Sequence, residues 1–206
     1  MKKIFLILIL SISTNMFFGQ EFPIGEIKNY TESRAVSNNG EYFKDTQGVL
    51  NPYIGTWKYI GNGVEFTLKI QRVDEFLSNI TGSSSYCYYD TLLVSYKLVK
   101  NNTIIVDNLH FPIINNLMGL TTYNYSMFDN YLPNENSIQG LFVDITNNVY
   151  VDAIIKRQMT LFNEPAKIHF KAFVNSNTSR RNPREFYQGM STILSIPGDV
   201  ILTKIN

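Results

Sequence analysis

The sequence predicts an all-β domain, an antiparallel meander closed into a barrel, with a β-sandwich as the alternative. Three observations predict it. From Val64 to Gln71 the apolar residues Val64, Phe66, Leu68 and Ile70 alternate with Glu65, Thr67, Lys69 and Gln71, the period-two pattern of a strand with one buried face. Gly61-Asn62-Gly63, just before that run, supplies residues that tolerate positive φ and marks a tight hairpin turn. Aromatic residues make up 14% of the chain and charged residues 17%, a balance suited to pleated, half-buried surfaces, and no long amphipathic helical pattern accompanies it.

The elements follow in order. Lys2 and Lys3 precede the apolar stretch Ile4 to Ile12, the n-region and h-region of a secretory signal. The small residue of Gly19-Gln20 places cleavage after residue 19. An apolar core this short falls below the roughly 20 residues a spanning helix needs, so no transmembrane anchor is expected after cleavage. Export to the periplasm or the exterior follows. Residues 20–50 are polar with scattered aromatics, and read as an extended leader arm whose last apolar residue, Leu50, docks on the domain. Residues 51–206 read as a single β-domain.

Tyr53 to Ile60 forms the first strand of the hairpin, with Tyr53, Gly55, Trp57 and Tyr59 on one face. A second hairpin joins Thr91–Leu98 to Thr103–Val106 through Lys100-Asn101-Asn102. Further strands are predicted at 138–145, 149–155, 157–162, 167–174, 191–196 and 199–205, with weaker ones at 76–81, 84–89 and 120–128. Ile113 to Leu120 reads as a short helical turn. A meander leaves exposed edges unless its first and last strands pair. Val200 to Ile205 is the candidate for closure, lying beside Tyr53–Ile60.

Composition also excludes function classes. Loss of Lys2 and Lys3 leaves 16 basic against 17 acidic residues, a net charge of −1, which gives no support for nucleic-acid binding. Cys87 is the single cysteine, so no intramolecular disulfide forms, and it reads as a small buried hydrophobe. His110 and His169 are the two histidines, and neither has a second ligand at metal-site spacing. No metal and no cofactor are expected. Gly189-Met190-Ser191 lacks the second glycine of a nucleophile elbow. Asp74, Glu75, Asp90, Asp144 and Asp152 supply enough carboxylates for an acid–base pair, and an extracytoplasmic hydrolase built on two of them is one alternative function. A purely structural envelope protein is another.

Two surface features are candidates for binding. Arg180, Arg181 and Arg184 cluster in a polar segment that reads as a long loop, and arginine forks suit carboxylates and sulfates. Tyr86, Tyr88 and Tyr89, with Tyr123, Tyr125, Tyr131 and Tyr150, are candidates for a partly exposed aromatic rim that would meet a protein or glycan.

Gly55-Thr56-Trp57, opening the first strand, is similar to the Gly-x-Trp motif of the lipocalins and their calycin relatives. That resemblance implies a barrel whose base is plugged by Trp57 and covered by a basic residue of the last strand, here Lys204. It also implies a small apolar ligand in the barrel mouth. The chain departs from that family in lacking the helix after its last main strands. A wider pattern comprises Asp45, Asn51-Pro52-Tyr53-Ile54-Gly55-Thr56-Trp57-Lys58-Tyr59, the alternating second strand, and the Ile196-Pro197 and Leu202-Thr203-Lys204 ending. It resembles a secreted bacterial family classed as a domain of unknown function, which implies no activity. The expectation is a secreted, non-enzymatic β-domain that binds a small apolar ligand or an extracellular protein or glycan.

Overall fold

The computed structural model describes residues 24–26, 39–79, 85–110, 126–132, 136–147, 149–173 and 194–205. Eleven strands are present there: β1 (Ile24–Glu26), β2 (Tyr42–Lys44), β3 (Gly55–Gly61), β4 (Val64–Asn79), β5 (Tyr86–Lys100), β6 (Thr103–Asp107), β7 (Ser126–Leu132), β8 (Ser137–Asp144), β9 (Val149–Gln158), β10 (Lys167–Phe173) and β11 (Asp199–Lys204). Among the described residues the helical element is a short 3-10 turn, Asn51–Tyr53, and no helix is long and apolar enough to cross a membrane.

The fold class is all-β, as predicted. Antiparallel pairings run β3–β4–β5–β7–β8–β9–β10–β11 and return to β3, so eight strands complete a circuit. Closure at the termini pairs Thr203 with Lys58 and Lys204 with Trp57, and Ile205 N–H donates to Thr56 O. The other closure joins β5 to β7 at Leu92–Phe128, Leu93–Met127 and Val94–Ser126. β5 is long enough to serve three partners on that edge: parallel β2 first, then β7, then β6. β1 extends the sheet in parallel beyond β2.

Turn chemistry sets the hairpins. Asn62 and Gly63 have φ of 52° and 73°, and Asn101 and Asn102 have 48° and 64°, so both turns have two consecutive residues in the left-handed region that matches strand twist. Gly55 opens β3 at φ 136°, a backbone that a side chain resists.

Period-two alternation fills the interior. Trp57, Phe66, Leu68, Ile70, Leu92, Val94, Tyr96 and Leu98 meet Ile138, Phe142, Val151, Ala153, Ile155, Ile168, Phe170 and Leu202 in one buried core. Its centre is aromatic: Phe66 lies 5.8 Å from Tyr96, 5.5 Å from Phe170 and 6.5 Å from Phe142, and Phe142 lies 5.2 Å from both Tyr96 and Phe170. Rings tilted at such separations interdigitate across the barrel. A second, smaller core of Phe43, Cys87 and Tyr89 packs with Val49 and Phe76.

Several expectations change. The weak strands at 76–81 and 84–89 are the ends of β4 and β5, and 120–128 overlaps the start of β7. The separate strands at 149–155 and 157–162 are one strand ending at Gln158, because pairing with β10 stops at Gln158–Lys167. Of the strand predicted at 191–196, residues 194–196 are not strand, and 191–193 lie outside the described residues. The predicted leader arm is built into the sheet over its described parts, residues 24–26 and 39–50: the first forms β1 beside β2, Phe43 and Leu50 are buried, and Tyr42 and Phe43 pair with Tyr88 and Tyr89. The helical turn at 113–120 lies outside the described residues.

Candidate functional site

The strands carry chemistry-bearing side chains to the two ends of the barrel. At one end β3 begins, the 3-10 turn Asn51–Tyr53 approaches it, and Trp57 seats beneath that turn. Trp57 is 1% exposed, and its indole N–H donates to Tyr53 O at 2.8 Å. Lys204 Nζ stands 5.4 Å from the centre of the Trp57 ring, within the range of a cation–π contact.

Beside this seal the inward row of β4 continues past Phe66, Leu68 and Ile70 to Arg72, and the inward row of β5 continues from Leu92 back to Asp90. Arg72 Nη2 bonds Asp90 Oδ2 at 2.7 Å, Nη1 lies 3.3 Å from Asp45 Oδ2 and 3.1 Å from Asn51 Oδ1, and Nε bonds Asp74 Oδ1 at 2.5 Å. Asp90 is fully buried, and Asp45 nearly so. A β-bulge between Val73 and Phe76 puts Glu75 at φ 54° and sends its N–H to Asp90 Oδ1 at 3.3 Å. Tyr42 Oη donates to the same oxygen at 2.6 Å, and Asp45 N–H donates to Asp90 Oδ2 at 2.8 Å. Asp45 in turn accepts from Val49 N–H at 2.8 Å and Leu50 N–H at 3.0 Å.

This arrangement decides what the carboxylates do. All four oxygens of Asp45 and Asp90 accept hydrogen bonds, and one guanidinium bridges the pair. Tyr42 Oη and the N–H groups of Asp45, Val49 and Leu50 are among the donors, so the pair clamps the 39–50 segment on the barrel. Burial would lower the Arg72 pKa, but its hydrogen bond to Asp74 and the charges of Asp90, Asp74 and Asp45 raise it overall. Burial, followed by the hydrogen bond to Asp90, raises the Tyr42 phenol above its usual 10.0.

The raised Tyr42 value has a consequence at alkaline pH. The folded state holds that proton more tightly than the unfolded state, so the associated stability is complete below about pH 10 and declines as pH rises beyond it. Burial raises the Tyr96 phenol in the same direction. Thermal melts are expected to fall above about pH 10, and Tyr42→Phe is expected to make that fall shallower. An unchanged slope in Tyr42→Phe would assign the alkaline loss to other groups.

The opposite end is closed by a second buried carboxylate. Asp144, at the end of β8, is fully buried and accepts from Ser195 N–H at 2.7 Å, from Ser195 Oγ, and from Asn147 Nδ2 at 3.0 Å. Tyr96 Oη accepts from Ile145 N–H at 2.9 Å. These bonds tie the approach to β11 across that end of the barrel.

The remaining candidates are scattered. His169 and Asp199 share a 2.5 Å hydrogen bond on the outer surface, and that bond holds the Asp199 carboxyl below its usual value. No serine or cysteine joins them in register: the residues opposite His169 are Lys156 and Ile201. His110 is exposed in the turn after β6, and Asp152 is partly buried on β9. Among the described residues no group of three His, Cys, Asp or Glu is placed to hold a metal ion. Tyr86 and Tyr88 are half-buried and meet edge to face at 5.9 Å, but Tyr89 is 1% exposed and belongs to the second core. The aromatic rim therefore loses Tyr89, because Phe43, Cys87 and Phe76 cover it. Arg180, Arg181, Arg184, Tyr123 and Tyr125 lie outside the described residues, as do the side chains of Tyr131 and Tyr150.

Sequence reasoning missed the most exposed apolar group. Met159, Leu161 and Phe162 are 104%, 75% and 101% exposed, in the loop between β9 and β10. Two open clefts lie outside the barrel. One, of about 510 Å³, separates the tips of the first two hairpins; the other, of about 440 Å³, runs along Asn136, Arg157, Gln158, Met159 and Thr160.

Fold and site together define an all-β meander with an aromatic core, an ion-paired clamp at one end, a hydrogen-bonded buried carboxylate at the other and an exposed apolar loop. The chain belongs to the Family of unknown function (DUF6705), whose profile matches residues 1–205. No curated protein and no solved structure matches it.

Proposed function

We propose that the protein is an exported, non-enzymatic module that binds a partner through its outer surface and not through a cavity. One observation carries this reading. The place where a barrel would hold an apolar ligand is occupied by the mutually packed rings of Phe66, Tyr96, Phe142 and Phe170. The ligand implied by the lipocalin resemblance would have to displace them, and close-packed interiors resist such displacement. Export is supported by Lys2, Lys3 and the apolar run Ile4 to Ile12. A binding role is favoured over hydrolysis because Asp45, Asp90 and Asp144 are committed to backbone and side-chain donors.

Native mass spectrometry of the protein purified from its own cells tests the reading. The expected spectrum contains no small-molecule mass that leaves on denaturation. A stoichiometric extra mass of that kind would replace this reading with ligand carriage.

A further inference from the structure

We infer that the β9–β10 loop docks the protein onto an anionic lipid surface, with Met159, Leu161 and Phe162 entering the interface. The inference deepens the surface-binding reading above and rests on it. Gln158 and Lys167 are the last paired residues of the hairpin, so residues 159–166 project beyond the sheet. Glu164 N–H donates to Leu161 O at 3.0 Å, closing a β-turn that has Phe162 at its crest. Among the described residues nothing covers these side chains, and polar residues serve equally well at an exposed turn. Ile205, 48% exposed, lies at the same end, since its neighbour Lys204 donates its N–H to Ala166 O at 2.8 Å.

Shape and charge together select lipid as the occupant. The apolar group is convex, and a convex tip suits a deformable acyl layer, whereas a rigid partner would need a matching groove. Behind it stand exposed Lys156 and Arg157 and partly buried Lys167; within residues 156–167 the acidic residue is Glu164, which pairs with Lys167 at 3.0 Å. Strand rise of about 3.3 Å per residue puts Lys156 and Arg157 roughly 7–10 Å behind Met159. An apolar element buried about 5–10 Å into the headgroup boundary would bring those two cations to the level of lipid phosphates. Basic residues at that level favour anionic lipids.

The test is flotation of the mature protein, residues 20–206, with vesicles of phosphatidylcholine, with and without phosphatidylglycerol. Wild type is expected to float with the anionic vesicles. Phe162→Asp should reduce that binding at least about tenfold, given the cost of placing a charge among acyl chains. Lys156→Glu with Arg157→Glu should reduce it by a similar factor on anionic vesicles and have no effect on neutral ones. Because Phe162 is fully exposed, the thermal melt of Phe162→Asp should match wild type, which separates lost binding from lost fold. Phe162→Trp should show blue-shifted emission on vesicles, against the constant signal of buried Trp57. Vesicle binding that persists in Phe162→Asp would overturn the proposal, as would absence of binding by wild type. If wild type instead forms a dimer that Phe162→Asp dissolves, or captures a protein through this loop, the lipid inference fails while surface binding stands. A carried small molecule in the native spectrum would remove both.

Discussion

Trp57→Ala is expected to lower unfolding free energy by about 3–5 kcal/mol, the range for emptying a buried large aromatic site. The indole is 1% exposed and sits where the barrel closes on itself, opposite Leu68 on β4 and Lys204 on β11. Its removal leaves a void, deprives Tyr53 O of its 2.8 Å donor, and takes away the ring beneath the Lys204 ammonium. The closure between β3 and β11 has two paired positions, Trp57 and Lys58, and one further backbone bond from Ile205 N–H to Thr56 O, so the seam is short and leans on the packing of Trp57. For a domain whose total stability lies at roughly 5–15 kcal/mol, such a loss is a large fraction of the whole. Each kcal/mol should appear as about 2–4 °C in the melting temperature of a chain this size. Trp57→Phe keeps most of the volume and loses the hydrogen bond, and should cost about 1–2 kcal/mol. Urea denaturation of the three proteins checks the order. A Trp57→Ala loss under about 1 kcal/mol would mean that the indole bears little of the packing.

How far the sequence reveals this architecture depends on whether a signal is local. The Gly61-Asn62-Gly63 turn and the alternation around it depend on residues a few positions apart, and the hairpin is where that pattern puts it. Closure by residues 200–205 was legible because a meander without it would leave two edges open. The long strands were harder. Arg72 to Glu75 on β4, and Asp90 and Thr91 on β5, interrupt the apolar alternation, so each strand reads as two. Arg72 and Asp90 are drawn inward because they find partners 18 to 48 positions away, which no local period records. Tyr89 escaped in the same way, covered by Phe43 from a segment that looked like a leader. Met159 to Phe162 failed in the opposite sense. An apolar run reads as strand, but its exposure depends on where pairing with β10 ends. Of the polar clamp, Asp45 and Asn51 stood out through the family resemblance, and Asp74, Glu75 and Asp90 as members of a longer set of carboxylates; Arg72 carried no signal.

Arg72→Leu should have the next largest effect on stability, a loss of about 3 kcal/mol. Removing one partner of a buried ion pair leaves an uncompensated charge and costs about 3–5 kcal/mol. The lower end applies because the Arg72 side chain is 21% exposed, and because Asp45 and Asp90 keep their backbone donors. Two carboxylates that share one guanidinium would then face each other without a cation. Adding Asp90→Asn to Arg72→Leu removes one of the two charges and with it that repulsion, so the double variant should be more stable than the sum of the single losses allows. Coupling energies for side chains in one network run to about 0.5–3 kcal/mol. The lost contact should also have an address. Val49 and Leu50 donate to Asp45, and Arg72 steadies Asp45, so their amide protons should exchange faster in Arg72→Leu than in wild type. Amides in the centre of β9 and β10 should change only by the global loss. If Arg72→Leu cost less than about 1 kcal/mol and left the Val49 and Leu50 amides protected, the cluster would be an ordinary exposed ion pair. The 39–50 segment would then be held by its apolar anchors, Phe43 and Leu50, alone.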